Sequence, residues 1–375
     1  MAVAYAWHNT FQDKKRTLAA VAGISFSVLL IFMQLGFLQL GRNVVTMLYT
    51  YFDFDLIIAS ENYQRLTNAS TFDKARLVQA MLVPDIDKMM ALNVANGSWV
   101  DPPTEQKSAT MLVGIEQNPA FIVDEAVKRQ LDSLTAMNSV MLDASSRDKY
   151  GSLSVGRDAK INNIDVTVTS LFTLGMIFDG DGAVIVNNQT FQNLSRRSSK
   201  HVSFGLIQVV SGADPAHVKE QLQAILPSDV LIFERQTIIR REQNYFFTVI
   251  PTGIMFQAGV IIAFAIGAVI LFQVLATEIS NKLHEYATLK AIGFTSIQIY
   301  SIGIKQGLLF AVMGYIPALL ATNGILYLIH RLTKMQTALT MELALFVLLL
   351  TLAMCLFSTF LALQKVRKAA PAELF

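Results

Sequence analysis

One polar stretch between two long apolar segments carries the residues best suited to contact another protein. It reads QVLATEISNKLHEYATLKAIG over residues 273–293 and begins as the tail of the apolar run Thr252–Ala276. The apolar residues of its second half keep partial helical spacing, and Gly293 stands where a helix C-terminal glycine is expected. The pattern predicts a short amphipathic helix at a membrane surface, with enough charge for a partner to bind and no room for an active site. The candidate contact residues are Asn281, Lys282, His284, Glu285, Thr288, Leu289, Lys290 and Gly293. The alternative is a tight loop that only joins two spans.

Motifs that would indicate catalysis are missing from the sequence. It contains no GxxxxGK[ST] phosphate loop, so the chain is not expected to hydrolyse nucleotides itself. It also lacks HExxH, CxxC and GxSxG. Asp179-Gly-Asp-Gly resembles the start of a calcium loop but lacks the required spacing and terminal glutamate, so a hairpin turn is favoured. The five histidines are scattered, with no pair at ligand spacing on one helix. We therefore expect a non-catalytic chain with no cofactor and no metal.

Composition favours a membrane protein. Of the 375 residues, 53% are hydrophobic and 15% are charged, and the mean hydropathy is +0.44. The net charge of +2 gives no indication of nucleic-acid binding. A single cysteine, Cys355, excludes an intramolecular disulfide and lies inside an apolar run.

Four apolar runs are long enough to cross a bilayer, since a span needs about 20 such residues. They are Leu18–Leu40, Thr252–Ala276, a run within Ile299–Ile329 and Leu343–Leu363. The first run is too long for a signal-peptide core and ends without a small-residue cleavage site. Pro317 is the expected kink point of the third run.

Positive charges beside the spans predict their orientation. They cluster in the N-terminal segment, the central loop and the tail, as Lys14, Lys15, Arg16, Lys282, Lys290, Lys365, Arg367 and Lys368. The loop between spans 3 and 4 offers only His330, Arg331 and Lys334. The positive-inside rule therefore places both termini and the central loop in the cytoplasm, for a multi-pass protein of the inner membrane.

The predicted fold class is a membrane protein of four transmembrane α-helices with a large periplasmic α+β domain inserted between helices 1 and 2. The predicted segments are a cytoplasmic amphipathic N-terminus 1–17, helix 1 and stalk 18–51, the periplasmic domain 52–241, stalk and helix 2 at 242–277, a cytoplasmic helix 278–295, helix 3 at 296–329, a periplasmic loop 330–341, helix 4 at 342–364 and a cytoplasmic tail 365–375.

Within the periplasmic domain, short β-rich runs alternate with helical patterns. The strands are expected at Asp55–Ser60, Thr110–Ile115, Ser139–Asp143, Asp165–Leu174, Ala183–Asn187, Val202–Val210 and Val230–Glu234. The helices are expected at Thr71–Leu82, Asp85–Leu92, Asp124–Leu134 and Asp214–Leu226. Asn96-Gly97 is a turn signal between elements.

Several stretches resemble a known family, the MacB/FtsX/LolC class (type VII) of ABC permease subunits, and within it the cyanobacterial DevC permeases. They are KKRTLAAVAGISFSVLLIFMQLGF, FDFDLIIAS, TLGMIFDGDGAVIVNNQTF, HEYATLKAIG and the terminal PAELF, and they extend from Lys14 to Phe375. The sequence differs from MacB itself because no ATPase domain precedes the first span.

The resemblance implies a set of partners and a role for the polar stretch. It implies a homodimer coupled to a separate ABC ATPase subunit, which binds the ATP, with the helix over 278–295 as the coupling helix. In tripartite systems of this class a periplasmic membrane-fusion protein links the permease to a TolC-like outer-membrane protein. For DevC-like systems the cargo is expected to be a glycolipid, another lipid or a hydrophobic compound, taken up on the outer side of the inner membrane, where membrane lipids are also partners of the chain. The implied mechanism is mechanotransmission rather than conduction through a channel.

Other classes with this topology remain open. One is an FtsX-like regulator that activates a cell-wall hydrolase and moves no substrate. Another is a LolC-like extractor that hands lipoproteins to a soluble chaperone. A third is a membrane sensor whose external domain binds a ligand.

Overall fold

The computed structural model describes residues 14–175, 180–281, 296–333 and 339–368. The helices are α1 (Lys14–Tyr51), α2 (Ala75–Ala80), α3 (Glu125–Lys128), α4 (Asn188–Ser195), α5 (Pro215–Ile225), α6 (Arg235–Thr248), α7 (Pro251–Asn281), α8 (Ser296–Thr333) and α9 (Met341–Lys368). The strands are β1 (Leu56–Ser60), β2 (Phe72–Asp73), β3 (Ile86–Asp101), β4 (Gln106–Ile115), β5 (Ser139–Asp143), β6 (Asp158–Ile161), β7 (Ile164–Phe172), β8 (Gly182–Asn187), β9 (His201–Val202), β10 (Phe204–Val209) and β11 (Val230–Glu234).

The chain forms two compact units, and the helices of one are built for a bilayer. This membrane unit takes its described residues from 14–40, 251–332 and 339–368, and the soluble unit spans residues 41–250. Four helices have the length and hydropathy to cross a membrane. These candidate spans are Thr17–Tyr51, Pro251–Glu278, Gly303–Arg331 and Met341–Gln364. The predicted fold class of four spans with an α+β domain after the first is confirmed.

Small residues and interhelical hydrogen bonds pack the membrane unit. A Cβ on Gly314 of α8 would lie 2.5 Å from Cγ2 of Ile24 in α1, so the two helices approach closely only because residue 314 is glycine. The Ser358 hydroxyl of α9 donates to the Ala268 carbonyl of α7 at 2.9 Å. Such contacts hold helices together where lipid removes the hydrophobic driving force. Helix α8 runs through Pro317, the predicted kink point, as one element.

The soluble unit is built on a nine-stranded sheet that closes on itself at one end. Its strand order is β11-β1-β10-β3-β4-β8-β5-β7-β6, with a further pairing of β6 to β3. Because the long strand β3 pairs with both β4 and β6 near its end, the strands β3, β4, β8, β5, β7 and β6 form a closed ring. Trp99 is fully buried in this ring and stacks on Tyr150 with the ring centroids 4.9 Å apart. A second small sheet pairs β2 with β9.

Strand β3 corrects two predictions. The helix expected at Asp85–Leu92 is wrong, because residues 86–92 are strand and pair with β10, Met90 lying opposite Leu206. The turn expected at Asn96-Gly97 is also wrong, because these residues pair with Met111 and Thr110 of β4 in the middle of the strand. The Met-, Lys- and Ala-rich sequence favours a helix locally, and pairing with β10 outweighs that preference.

The other expected helices fare differently. Asp214–Leu226 is confirmed as α5, whose Asp214 caps the helix by accepting a hydrogen bond from the Ala216 amide. The expected helix Thr71–Leu82 is shorter in the structure, as α2 preceded by β2. Asp124–Leu134 is divided into α3 and a 3-10 turn. Strand β6 was missed, since its alternation covers only a few residues.

A buried ion pair beside the ring gives a test of the fold. The Arg157 guanidinium contacts the Asp101 carboxylate, whose residue is 2% exposed. Arg157→Met leaves that carboxylate without its cation, and we expect a loss of about 3–5 kcal/mol of unfolding free energy. Lys160→Met is the matched control, because Lys160 and Asp165 form an exposed pair at 3.7 Å; its cost should be about 0–1 kcal/mol.

The measurement is denaturant unfolding of the full chain, followed by the fluorescence of Trp99 in a Trp7→Phe background. Equal losses in the two variants would contradict the assignment of Arg157 as a buried anchor.

Candidate functional site

Two helices that are continuous with or directly precede membrane spans, α1 and α6, contact each other inside the soluble unit. We call their contact the stalk junction: residues 41–51 at the end of α1 packed against α6. The buried positions of α6 are Ile238, Glu242 and Phe246, each four residues after the last, so one face of the helix turns inward. Ile238 belongs to the same hydrophobic core as the strands of the sheet. The stalk junction is therefore part of the domain core.

The two helices touch closely at one end of the stalk junction. A Cβ added to Gly41 would lie 2.2 Å from Cζ of Phe246, which is fully buried. Real Cβ atoms do not come this close to an aromatic ring. The absence of a side chain at residue 41 thus allows the Phe246 ring to pack directly on the α1 backbone.

At the other end, a buried carboxyl links three parts of the chain. The Tyr63 hydroxyl donates to Oε1 of Glu242, and the Leu66 amide donates to the same oxygen at 3.0 Å. The hydroxyls of Tyr49 in α1 and Tyr63 are 2.6 Å apart. Tyr49, Tyr63 and Glu242 are all at most 3% exposed. The network therefore joins α1, the segment after β1 and α6 without solvent.

Burial controls the protonation of this carboxyl. Loss of water around Glu242 raises its pKa from 4.5 to about 8, and hydrogen bonds from the Leu66 amide and Tyr49 oppose the rise only in part. The side chain is consequently held mainly in its neutral form at pH 7. A neutral carboxyl removes the need for a buried counter-charge.

Two arginines of α6 hold the outer side of the stalk junction. Arg241 donates to the Tyr63 carbonyl at 3.2 Å, and its guanidinium lies 5.2 Å from the ring centre of Phe233. Arg235 pairs with Asp53 at 3.3 Å and lies 5.4 Å from the ring centre of Phe54. Arg241 thus fixes α6 by a hydrogen bond and stacking, and Arg235 by an ion pair and stacking.

The predicted contact residues fall mostly outside the residues that the structure describes. Asn281 is the last residue of α7 and is exposed. Lys282, His284, Glu285, Thr288, Leu289, Lys290 and Gly293 lie in 282–295, outside the described residues. The predicted coupling helix stays a prediction.

A polar contact inside the membrane unit lies next in sequence to that segment. Glu278, three residues before the end of α7, is 9% exposed and accepts a hydrogen bond from the Gln306 amide of α8. Gln306 is 2% exposed. The contact ties α7 to α8, the two helices on either side of residues 282–295.

The polar groups of the stalk junction are placed to hold helices together. Within the described ranges, no three histidine, cysteine, aspartate or glutamate side chains converge on a point where a metal could bind. Cys355 is buried and unpaired in the membrane unit. The polar groups of Tyr49 and Glu242 instead bond to Tyr63 and Leu66 in the segment after β1.

Sequence reasoning missed Tyr49, Tyr63 and Glu242. The sequence did contain one indication: Glu242 is four residues after Ile238 and four before Phe246, and so lies on the same face of the helix as these two apolar residues. A carboxylate in an apolar stripe indicates a buried polar contact. Tyr63 lies in a loop, and nothing in its sequence neighbourhood pairs it with residue 242.

Comparisons with known proteins match both units. The family model described as MacB-like periplasmic core domain matches residues 17–225, more than half of the chain, and the model described as FtsX-like permease C-terminal matches residues 258–371. The periplasmic region of MacB from Actinobacillus actinomycetemcomitans is 12% identical, with 50% of this chain and 92% of that chain covered and a TM-score of 0.36. The extracellular domain of the noncanonic ABC-type transporter YknZ from Gram-positive bacteria is 12% identical, with 48% and 98% covered and a TM-score of 0.36. No curated protein matches the chain.

The raised pKa of Glu242 predicts the pH dependence of stability. The folded carboxyl keeps its proton up to about pH 8, whereas the unfolded one loses it near 4.5. Stability should therefore be highest below this window and fall as the pH rises through it. Glu242→Gln keeps the shape of the side chain and cannot ionise. The stability of this variant should therefore depend less on pH, and at alkaline pH it should be higher than that of the wild type.

Denaturant unfolding at a series of pH values measures this difference. Glu220→Gln, at an exposed position of α5, is the control and should leave the wild-type profile unchanged. A Glu242→Gln profile parallel to wild type would show that the carboxyl does not titrate as the structure implies.

Proposed function

We propose that this chain, which belongs to the MacB/FtsX-type family of ABC-transporter permeases, transmits ATP-driven motion from a separate ATPase to a periplasmic membrane-fusion protein and thereby exports a lipid or other hydrophobic compound. Members of this family are permease subunits, and membership implies association with an ABC ATPase.

The stalk junction is the observation that carries the proposal. Helix α1 runs without a break from its span into the stalk junction, and α6 ends at Thr248, three residues before α7 begins. The buried network around Glu242 fastens both helices to the core of the sheet. A displacement of these helices therefore has to move or strain the domain, because packed cores deform little. This is the property required of a mechanical transmitter.

At the other end of the path, we propose that the part of the predicted segment 278–295 that follows α7 forms the helix that contacts the ATPase. Lys282, His284, Glu285 and Lys290 supply the charge for docking, and Gly293 turns the chain back into the next span. The hydrogen bond from Gln306 to Glu278 supports this assignment, because it ties together the two helices that flank the segment.

The remaining assembly follows from the proposed mechanism. Two copies of the chain would share two ATPase subunits, and the fusion protein would lead to a TolC-like outer-membrane protein. A glycolipid fits because the cargo would be collected from the outer face of the inner membrane. Co-purification of the tagged chain from mild detergent tests this: a fusion protein supports export, a cell-wall hydrolase supports the FtsX-like alternative, and a lipoprotein with a soluble chaperone supports the LolC-like one.

The proposed orientation predicts which positions a membrane-impermeant maleimide reaches. In a Cys355→Ser background, cysteines at the exposed positions Asn68 and Ser198 should react once the outer membrane is permeabilised. A cysteine at Asn281, exposed at the end of α7, should react only after the inner membrane is opened. Reaction at Asn281 in sealed cells would reverse the orientation.

The coupling helix predicts a difference between two substitutions. The chain alone should show no ATPase activity, and activity should arise when the ATPase subunit is added. Glu285→Ala removes one exposed charge, worth about 0–1 kcal/mol in docking, and should retain most stimulated activity. Gly293→Val places a β-branched residue at a left-handed helix end, at a cost of roughly 1–2 kcal/mol or more, and should lose transport and much of the stimulated activity. Both are compared at equal membrane levels, and wild-type behaviour of Gly293→Val would reduce the segment to a connector.

A further inference from the structure

Strand β11 is an open edge of the large sheet. The opposite end of the strand order is closed, because β6 pairs with β3, but among the strands that the structure describes β11 pairs with β1 alone. The Arg235 amide donates to the Asp55 carbonyl at 3.0 Å and the Glu61 amide donates to the Asp229 carbonyl at 2.9 Å. Since bonding alternates along an antiparallel pair, the odd-numbered residues of β11 bond to β1. The amides and carbonyls of Val230 and Ile232 and the amide of Glu234 therefore point out of the sheet, whereas the Glu234 carbonyl is at the N-cap of α6 and belongs to that helix.

A groove runs along this edge. Its volume is about 360 Å³, and it lies between β11 and the C-terminal half of α5, with the first turn of α6 at one end. The apolar wall includes Leu226, Val230 and Ile232, whose exposures are 6–8%. Lys219 and Glu234 form an ion pair at 3.0 Å on the polar rim. An open strand edge beside a helix offers two kinds of contact at once: backbone hydrogen bonds and an apolar slot.

The sequence of β11 does nothing to protect the edge. It reads VLIFE, with no proline and no lysine within the strand. Exposed edges of natural sheets usually carry such residues, a bulge or a covering element, because unpaired strand groups attract other strands. Among the residues that the structure describes, no hydrogen bond satisfies the outward amides of Val230 and Ile232. An apolar edge without protection indicates a surface that is covered by a binding partner.

We propose that the groove between β11 and α5 binds an extended segment of a partner protein, which adds to the sheet as a further strand. Only a polypeptide backbone presents donors and acceptors at the spacing of alternate strand residues. The side chains that face α5 would be aliphatic at every second position, since Leu226 and Ile232 form the wall of the slot. The partner is thus recognised by strand geometry and by alternating aliphatic residues.

A second copy of this chain fits the groove poorly. If β11 paired with β11 of another copy, the side chains of Val230 and Ile232 in each strand would already be buried under their own α5. Neither copy could then place a side chain in the other's slot. The groove therefore favours a free segment, whose side chains are uncommitted before binding.

Binding at this edge would act directly on the stalk junction. Glu234 ends β11 and Arg235 begins α6, with no residue between them. A strand added to β11 would hold the residue before the helix that carries Glu242 and Phe246. The inference goes beyond the proposed function, because strand addition can be measured whether or not the chain exports anything.

The test uses the full chain in detergent and a fluorescent heptapeptide of alternating valine and threonine. Two N-methylated versions carry the methyl groups either on the valines or on the threonines, and so block opposite edges of the peptide strand. One version should bind at least about fivefold more weakly than the unmodified peptide and the other should bind nearly as well, because only one edge faces β11. Equal binding of both versions, or no binding of the unmodified peptide, would overturn the proposal.

Two variants of the chain test whether the backbone of β11 binds the peptide, with affinity measured by fluorescence polarisation. Ile232→Pro removes an outward amide and leaves the bonds to β1 in place, so peptide affinity should fall at least about fivefold relative to Ile232→Val. Unfolding followed by Trp99 fluorescence verifies that both variants fold. If Ile232→Pro does not fold, the binding of the methylated peptides to the wild-type chain decides whether a strand adds to β11. Equal affinity of the two variants contradicts the proposal. A dimer in Ile232→Val that becomes a monomer in Ile232→Pro would assign the edge to a second copy and also overturn it.

Discussion

The buried carboxyl of Glu242 is the constraint on which the soluble unit's link to its two stalk helices depends. A carboxyl at this depth costs free energy unless it is neutral or hydrogen-bonded, and here it is both: burial raises its pKa to about 8, and the Tyr63 hydroxyl and Leu66 amide donate to it. These partners have fixed positions, so the network has one geometry. Leucine at residue 242 would pack without specifying that geometry, whereas the carboxyl selects one arrangement of α1, Tyr63 and α6.

The side chains of the two units pack differently because water surrounds one unit and lipid the other. The soluble unit buries large aromatic side chains: Tyr49 packs edge-on against Phe204 with 6.3 Å between ring centres, and Trp99 fills the strand ring. In the membrane unit lipid is as apolar as leucine, so the helices gain from close approach and interhelical hydrogen bonds, as at Gly314 and Ser358. The exposed apolar side chains of its helices, Ile261 and Phe360 among them, follow from the same cause.

Local patterns predicted the spans and most strands because a single physical requirement produces each of them. The thickness of a bilayer sets the number of apolar residues in a span. Burial in a sheet sets the length of short apolar strands such as Val230–Glu234. Residues 86–92 were predicted as helix because their strand structure depends on β10, more than 100 residues away. Glu242 was missed for the same reason, since its partners are Tyr63 and Leu66. The role of residues 282–295 still rests on the sequence.

The two ends of the sheet differ: one is closed into a ring of strands, and the other is an open edge at which a further strand can pair. At the ring end β6 pairs with β3 at Trp99–Ile161 and Val100–Lys160, so the strand order there returns to β3. At β11 the reverse holds, and the strand leads at once into α6. Motion of α6 would shift β11 and with it the row of amides and carbonyls available to a partner. A strand held there would in turn restrict α6, because coupling between two sites acts equally in both directions. The position of the open edge thus makes partner binding and stalk movement parts of one equilibrium.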